Sequence, residues 1–377
     1  MSVSTIEATY RSRTPASAAR QQRAEQLLPG GDTRTAAFHP PYGLTIERGE
    51  GPYLWDVDGH RYVDLIGNFT SLVHGNAYPA IVEAAAGQVR RGTAWPARSD
   101  VHLELAEALI ERVASVEQVR FCNSGSEATM LALAIAREVT GRRGVLMARY
   151  GYHGSLDEFE AGFHGHTGPH TFAAEHGDAE SFAAVLAEHG DDIAAVVLEP
   201  VMGSAGLVAS APGFLARVRD AAHGAGALFV LDEVITLRLA PGGAQGREGV
   251  EPDLTAMGKI IGGGFPVGAV GGRADLMAVT DPRRGRLFHS GTFNGNPVTA
   301  SAGVVSVREL TSDRIAVMEE QAQRLAAALA ARAAAEGVPF ACRHEGSLVQ
   351  VFLTDAPPPA TLVRTDGELA TAFHLAS

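Results

Sequence analysis

The sequence predicts an α/β protein with a mostly parallel central sheet, helices on both faces of that sheet, and a smaller α+β domain. From Asp100 onward, short runs rich in Val, Ile, Leu and Phe alternate with longer Ala-rich segments of helical period. This alternation predicts strands over residues 118–122, 144–149, 193–199, 227–232 and 267–271. It predicts helices over residues 127–139, 179–189 and 213–224, each closed by Gly or a Gly-containing turn.

The two ends of the chain carry different patterns. Near the start we expect an arm, a helix over residues 16–28 that stops at a Pro-Gly-Gly break, and short strands over 44–48, 52–56 and 61–65. After Thr299 we expect helices over 300–310 and 314–336 and a strand over 347–353. The predicted domains are therefore 1–65 (arm, helix and small antiparallel sheet, part of a small domain), 66–299 (large domain) and 300–377 (a short C-terminal small domain).

Composition narrows the class of protein. The chain has 377 residues, of which 46% are hydrophobic and 20% charged, as expected for a globular protein with a large core. Its 31 basic and 43 acidic residues give a formal charge of -12, which argues against nucleic acid as a partner. Cys122 and Cys342 lack metal-type spacing, so we expect no bound metal and a cytoplasmic location. We see no signal-peptide run in residues 1–22 and no apolar run of membrane-spanning length, so no membrane partner is expected.

Three segments are candidates for chemistry, and the first is the turn Asn123-Ser124-Gly125-Ser126-Glu127-Ala128. It lies between a predicted strand and a predicted helix, where backbone N–H groups and hydroxyls suit a phosphate dianion. The alternative is an ordinary helix N-cap.

The second and third segments place an acid and a lysine in unusual settings. Asp232 ends a predicted strand, where its carboxylate could keep a pyridinium nitrogen protonated or could simply cap the next turn. Lys259 lies in an apolar segment, with Gly258 before it and Gly262 to Gly264 shortly after it. An imine-forming lysine needs close backbone approach to a flat ligand and a partly desolvated amine, although a lysine among glycines can also be a plain loop residue.

The order of these segments, with Asp232 and Lys259 separated by 259 − 232 = 27 residues, resembles the class III aminotransferases of pyridoxal 5′-phosphate (PLP) fold type I. That group contains ω-transaminases and glutamate semialdehyde aminomutase. The resemblance runs from Leu27-Leu28-Pro29-Gly30-Gly31 to the end of the chain. Further motifs follow in family order: Tyr53-Leu54-Trp55-Asp56-Val57-Asp58-Gly59, Tyr152-His153-Gly154, Glu199-Pro200-Val201, Asp232-Glu233-Val234, Gly258-Lys259 and Gly291-Thr292-Phe293-Asn294.

This resemblance implies PLP as the cofactor and assigns roles around it. Lys259 would form the Schiff base and later move the proton, and Asp232 would pair with the pyridine nitrogen. Gly125 and Ser126 would hold the phosphate, with Ser124 a weaker candidate. Thr292 would reach the phosphate from a second subunit, which implies a homodimer with shared active sites.

The ring itself would be held from both sides. The resemblance places Tyr152 on one face and Val234 on the other, with core packing as the alternative for each. Glu199 is expected near the ring, and His153 is expected to be structural. Met202 stands where many members have Gln or Asn, and it cannot donate a hydrogen bond to the phenolic oxygen unless Ser204 or water substitutes.

Two segments indicate the substrate. Residues 235–242, Ile-Thr-Leu-Arg-Leu-Ala-Pro-Gly, and residues 30–35 resemble β-amino-acid aminotransferases, notably the β-phenylalanine type. We therefore expect amino transfer from a β-amino acid or related amine to a keto acid such as 2-oxoglutarate or pyruvate. Arg34 would bind the substrate carboxylate, or would be a surface arginine that pairs with Asp32. The alternatives are an intramolecular aminomutase and a non-catalytic binding partner of the same fold.

Overall fold

The computed structural model describes residues 3–164 and 168–359. Within these residues the chain forms two compact units, the smaller made of residues 3–67 and 75–78, the larger of residues 68–74 and 79–359. Among the described residues, no helix is both long enough and apolar enough to cross a membrane. The predicted domain boundaries near residues 65 and 299 stay predictions. The described residues 300–359 group with the larger unit, and residues 360–377 of the predicted small domain lie outside the described part.

The smaller unit contains two helices and a three-stranded antiparallel meander. Its elements are α1 (Val3–Arg13), α2 (Pro15–Ala24), β1 (Ile46–Glu50), β2 (Tyr53–Asp56) and β3 (Arg61–Val63). The segment expected to be an arm is thus helical. An ion pair between Arg11 and Glu7 one turn apart supports α1, and the Tyr10 hydroxyl donates to the carbonyl of Tyr42 at 2.7 Å.

The larger unit is built around a seven-stranded sheet. Its strands are β4 (Gln118–Cys122), β5 (Gly144–Ala148), β6 (Thr171–Ala174), β7 (Ile193–Leu198), β10 (Leu228–Asp232), β11 (Leu254–Gly258) and β12 (Gly268–Gly272), in the spatial order β4-β12-β11-β10-β7-β5-β6. The strand β12 is antiparallel to both of its neighbours, and the other pairs are parallel. The predicted fold class is confirmed, and all five predicted strands are present with ends shifted by at most one residue.

Helices cover both faces of this sheet. One face is covered by α6 (Gly125–Thr140) and the other by α8 (Ala179–His189) and α9 (Phe214–Gly224). The other helices that follow β3 are α4 (Pro79–Arg91), α5 (Asp100–Arg112), α7 (Asp157–Phe163), α10 (Gly243–Glu248), α11 (Ala274–Met277), α12 (Pro297–Glu309) and α13 (Ser312–Glu336), with a four-residue turn α3 at Gly67–Thr70. One core cluster packs α6 against the sheet and another packs α8 and α9. Every residue of β5, β7, β11 and β12 is buried, which explains why these strands appear as continuous apolar or glycine runs.

Two small hairpins complete the larger unit. One joins β8 (Val201–Met202) to β9 (Val208–Ala209), and the other joins β13 (Ala341–Glu345) to β14 (Leu348–Phe352). Because β4, β7, β10 and β11 all run in the same direction, their carboxyl ends meet at one edge of the sheet. That edge is where ligands bind in open α/β sheets.

Candidate active site

A cavity opens to solvent at this edge of the sheet, and its empty space, open solvent included, is about 590 Å³. Its wall is formed by segments at the carboxyl ends of four strands, β5, β7, β10 and β11, and by the first turn of α6, which follows β4. The lining residues are Gly125, Ser126, Tyr152, His153, Gly154, Glu199, Val201, Asp232, Val234, Ile235, Thr236 and Lys259. The structure therefore brings together seven of the ten predicted site residues.

Asp232 is the last residue of β10 and is held by two donors. Its Oδ1 accepts the backbone N–H of Val234 at 3.1 Å, and its Oδ2 lies 2.8 Å from Nδ1 of His153. The His153 side chain is fully buried, and its Nε2 has no hydrogen-bond partner in the described part of the chain. His153 was expected to be structural, but it lines the cavity and orients the carboxylate.

Lys259 follows β11 and reaches the cavity from a crowded turn. Burial lowers the pKa of its amine, while the charges of Asp232 and Glu199 act in the opposite direction. The net lowering favours the neutral amine, which is the form that can act as a nucleophile or accept a proton.

Glu199 is a buried acid directly after β7. Its two oxygens accept the backbone N–H groups of Tyr152 at 2.8 Å and Gly203 at 3.2 Å. Burial, assisted by the nearby charge of Asp232, raises the pKa of Glu199 to about 7 although both backbone bonds lower it. Glu199 thus fixes the segment that carries Tyr152, whose ring is 38% exposed and packs edge-on against Phe163.

The first turn of α6 forms the floor of the cavity. Gly154 adopts φ +94°, and a Cβ there would lie 2.3 Å from the Ser126 hydroxyl oxygen. A Cβ on Gly125 would lie 2.9 Å from a methyl carbon of Val234. The backbone of Gly125 and Gly154 therefore approaches its neighbours as closely as only glycine allows.

Ser124 differs from its neighbours in this turn. Its hydroxyl accepts the backbone N–H of Glu127 at 3.1 Å and so acts as the N-cap of α6. It does not line the cavity. The sequence motif was predicted to be either a phosphate site or a helix N-cap. In the structure Ser124 is the N-cap, and Gly125 and Ser126 line the cavity.

Two predicted residues lie elsewhere. Thr292 is exposed in the loop before α12 and is absent from the cavity lining. Arg34 is exposed in the smaller unit, where Asp32 accepts the backbone N–H groups of Thr33 and Arg34.

Residues that sequence reasoning missed form the side wall. Val201, Ile235 and Thr236 line the cavity. They follow Glu199-Pro200 and Asp232-Glu233-Val234 directly in sequence, and this closeness to two predicted motifs is the signal that could have identified them. Met202 is fully buried within the core cluster of α8 and α9, and Ser204 is exposed and does not line the cavity.

Comparison with known proteins gives a consistent family. The sequence profile described as Aminotransferase class-III matches residues 35–367. A β-phenylalanine transaminase from Variovorax paradoxus is 40% identical over 97% of this chain and 86% of its own length. A glutamate-1-semialdehyde 2,1-aminomutase from Rhodopirellula baltica is 39% identical over 91% of this chain and 82% of its own length. A solved transaminase with PLP bound superposes with a TM-score of 0.85 and 36% identity, covering 90% of this chain and 84% of its own.

Proposed function

The chain belongs to the class III aminotransferases, and we propose that it transfers an amino group from a β-amino acid or related amine to a keto acid such as 2-oxoglutarate or pyruvate. It is a PLP-dependent enzyme that uses an amino donor and a keto-acid acceptor. PLP supplies an electron sink for negative charge that develops on the substrate carbon. The observation that carries the proposal is the meeting of a half-buried lysine, Lys259, and a buried acid, Asp232, in one cavity that also holds the start of α6.

The cavity fits this cofactor in shape and in chemistry. Gly125 and Ser126 begin α6 at the cavity, so this helix N-terminus would offer backbone N–H groups to a phosphate, and Ser126 would add a hydroxyl. Asp232 would hold the proton on the pyridine nitrogen, with His153 orienting its Oδ2. Tyr152 and Val234 would contact the two faces of the ring. Lys259 would hold the cofactor covalently, and its Nζ would then accept and return the proton that moves during the reaction.

Replacing Lys259 with Ala tests this proposal. We expect covalent attachment of PLP and turnover to be lost while the thermal unfolding midpoint stays within a few degrees of wild type. Borohydride reduction followed by peptide mass spectrometry locates the attachment, and an amino-donor panel measures turnover. Near-normal transamination by the variant would remove Lys259 from the mechanism.

The β-amino acid donor is proposed because the Variovorax paradoxus relative is a β-phenylalanine transaminase. In this proposal Arg34 binds the donor carboxylate, since a planar guanidinium can bind both of its oxygens. Arg34→Ala should raise KM for a β-amino acid far more than for a simple amine without a carboxylate. Arg23→Ala, which removes another exposed arginine of the smaller unit, is the matched control. Equal effects on both donors would exclude Arg34.

An intramolecular aminomutase is the second candidate, favoured by the similarly related Rhodopirellula baltica protein. The two activities differ in one requirement. An aminotransferase stops after one half-reaction without a keto acid, whereas an aminomutase completes its cycle within one substrate. Product formed in catalytic excess without any keto acid would favour the aminomutase.

We also propose a homodimer in which Thr292 serves the cofactor of the partner subunit. Thr292 is exposed, and two large apolar side chains in the same loop are exposed with it, Phe288 at 91% and Phe293 at 61%. Such a patch favours burial against another protein surface. Sedimentation should give a dimer, and Thr292→Ala should weaken PLP retention more than it alters donor preference. A fully active monomer would contradict this. A cytoplasmic location is proposed from the two unpaired cysteines.

A further inference from the structure

The backbone of Lys259 is held in an unfavourable conformation. Its φ is +49°, in the left-handed region that glycine favours and that a side chain with a Cβ rarely adopts. Gly258 before it is extended, and a tight turn over Lys259–Gly262 follows. A residue in this region persists only where its surroundings enforce the conformation.

Helix α12 packs directly against this turn. A Cβ on Gly303 would lie 2.2 Å from the carbonyl oxygen of Ile261, so the helix backbone and the turn are in close contact. One turn further along α12, the Ser306 hydroxyl donates to the carbonyl oxygen of Ile260 at 2.7 Å. Ser306 is only 1% exposed, so this bond has little competition from water. This bond fixes the peptide group between Ile260 and Ile261, directly after Lys259 in the turn.

Ser306 is itself held from its other side. Nε2 of His74 lies 2.9 Å from the Ser306 carbonyl oxygen, and a guanidinium nitrogen of Arg314 lies 3.3 Å from Nδ1 of His74. A carbonyl only accepts and a guanidinium only donates, so His74 must carry its proton on Nε2. Burial, together with the charge on Arg314, lowers the pKa of His74, which favours this neutral form. Hydrogen bonds thus run from Arg314 through His74 and Ser306 to the lysine turn.

We propose that Ser306 is a positioning residue whose hydroxyl holds the Ile260 carbonyl so that Lys259 keeps its left-handed backbone and presents its amine to the cavity. This rests on the proposed role of Lys259 in holding the cofactor. Ser306 acts through the backbone and does not line the cavity.

A double-mutant cycle in the full-length, cofactor-free chain tests whether Ser306 restrains the backbone of Lys259. Glycine adopts φ +49° without a Cβ penalty, so Lys259→Gly should unfold at a higher temperature than Lys259→Ala. Adding Ser306→Ala should shrink this difference to less than half, because the backbone can then relax. Ser301→Ala is the matched control, since the Ser301 hydroxyl bonds within the same helix to the carbonyl of Pro297 at 2.9 Å. If the unfolding temperatures of Lys259→Gly and Lys259→Ala differ equally with Ser306 and with Ser306→Ala, the proposal is overturned.

The intact lysine tests positioning. Ser306→Ala should slow the covalent attachment of added PLP about tenfold relative to Ser301→Ala, as followed by borohydride trapping. Equal attachment rates would overturn the positioning role even if the cycle shows restraint. Should Ser306→Ala not fold, Ser306→Cys, a weak donor, replaces it in both experiments with the same outcomes. Failure of wild type to attach PLP at Lys259 would instead refute the proposed function, and the cofactor-free cycle would still report on the restraint.

Discussion

Asp232 and Glu233 are consecutive buried acids that face two different environments. Asp232 lines the cavity and leaves part of its carboxylate available to a ligand. Glu233 faces the protein interior, where it accepts the Thr236 hydroxyl and the backbone N–H groups of Ala244 at 3.1 Å and Gln245 at 2.7 Å. Strand alternation sends the two side chains to opposite sides, and the partners that each one meets decide whether it serves a ligand or the fold.

The largest effect on activity is expected at the cavity-facing acid. Asp232→Ala should lower kcat by at least about 100-fold, because the charge that stabilises the protonated ring is lost. The cofactor-free protein should also lose some stability, though less than at Glu233, because Val234 N–H and the buried His153 ring lose their acceptor. Steady-state kinetics with saturating PLP checks this. A loss below about tenfold, equivalent to ~1.4 kcal/mol, would mean that Asp232 does not hold the ring proton.

The largest effect on stability is expected at its neighbour. Glu233→Ala leaves three buried donors without an acceptor and should lower the free energy of unfolding by about 3 kcal/mol. Glu233→Gln keeps one carbonyl acceptor and serves as the matched control, with a smaller loss. Urea denaturation of both variants provides the measurement. If both variants were as stable as wild type, Glu233 would not be what holds Thr236, Ala244 and Gln245 in place.

Glu199 faces the cavity and also accepts hydrogen bonds from two backbone N–H groups. Its folded pKa of about 7 lies above the ordinary 4.5, so the folded state binds the proton more tightly than the unfolded state. The resulting stabilisation is present at acid pH and is lost as the pH rises through 7, amounting to at most about 3 kcal/mol. Wild type should therefore lose stability relative to Glu199→Gln between pH 5 and 8 in cofactor-free urea titrations. Parallel pH profiles would contradict the raised pKa.

The smallest effect on stability is expected at Ser124. This residue precedes Gly125 and Ser126 on the cavity floor, but its hydroxyl accepts the backbone N–H of Glu127 in α6. Ser124→Ala should lower the free energy of unfolding by about 1 kcal/mol through loss of the N-cap. PLP retention should stay within about twofold, because Gly125 and Ser126 form the floor. Equilibrium dialysis measures retention. A strong loss of PLP would place the Ser124 hydroxyl on the phosphate after all.

Sequence patterns predicted five of the seven strands of the larger unit's sheet, but they did not delimit β6 or the fully buried β11. Apolar runs such as Ile193–Leu198 bury every residue, so composition and structure agree there. The strand β13, Ala341–Glu345, was missed because its Arg, His and Glu residues resemble a loop. Helix α12 begins at Pro297 with Asn296 as its N-cap, three residues before its predicted start, although a capping Asn followed by Pro was a visible signal.

In the site, single sequence motifs predicted which residues lie at the strand ends, but they did not predict the contacts between residues of different motifs. Lys259, Asp232 and the α6 turn could be predicted because their order along the chain resembles that of a known family, although each segment alone also had an ordinary structural interpretation. The bond between His153 and Asp232 joins residues 79 apart in sequence, and no local pattern encodes it. The same holds for Ser306, whose partner Ile260 is 46 residues away.

The crowded glycines of the floor determine where the specificity of this enzyme can be redesigned. Any side chain at Gly154 would strike Ser126, and one at Gly125 would strike Val234, so libraries that diversify these positions should yield mostly inactive clones. Val201 and Ile235 line the same cavity with apolar side chains, and Thr236 lines it too but gives its hydroxyl to Glu233. Directed evolution toward bulkier or smaller amines should therefore accumulate its beneficial mutations on this side wall and leave the floor untouched.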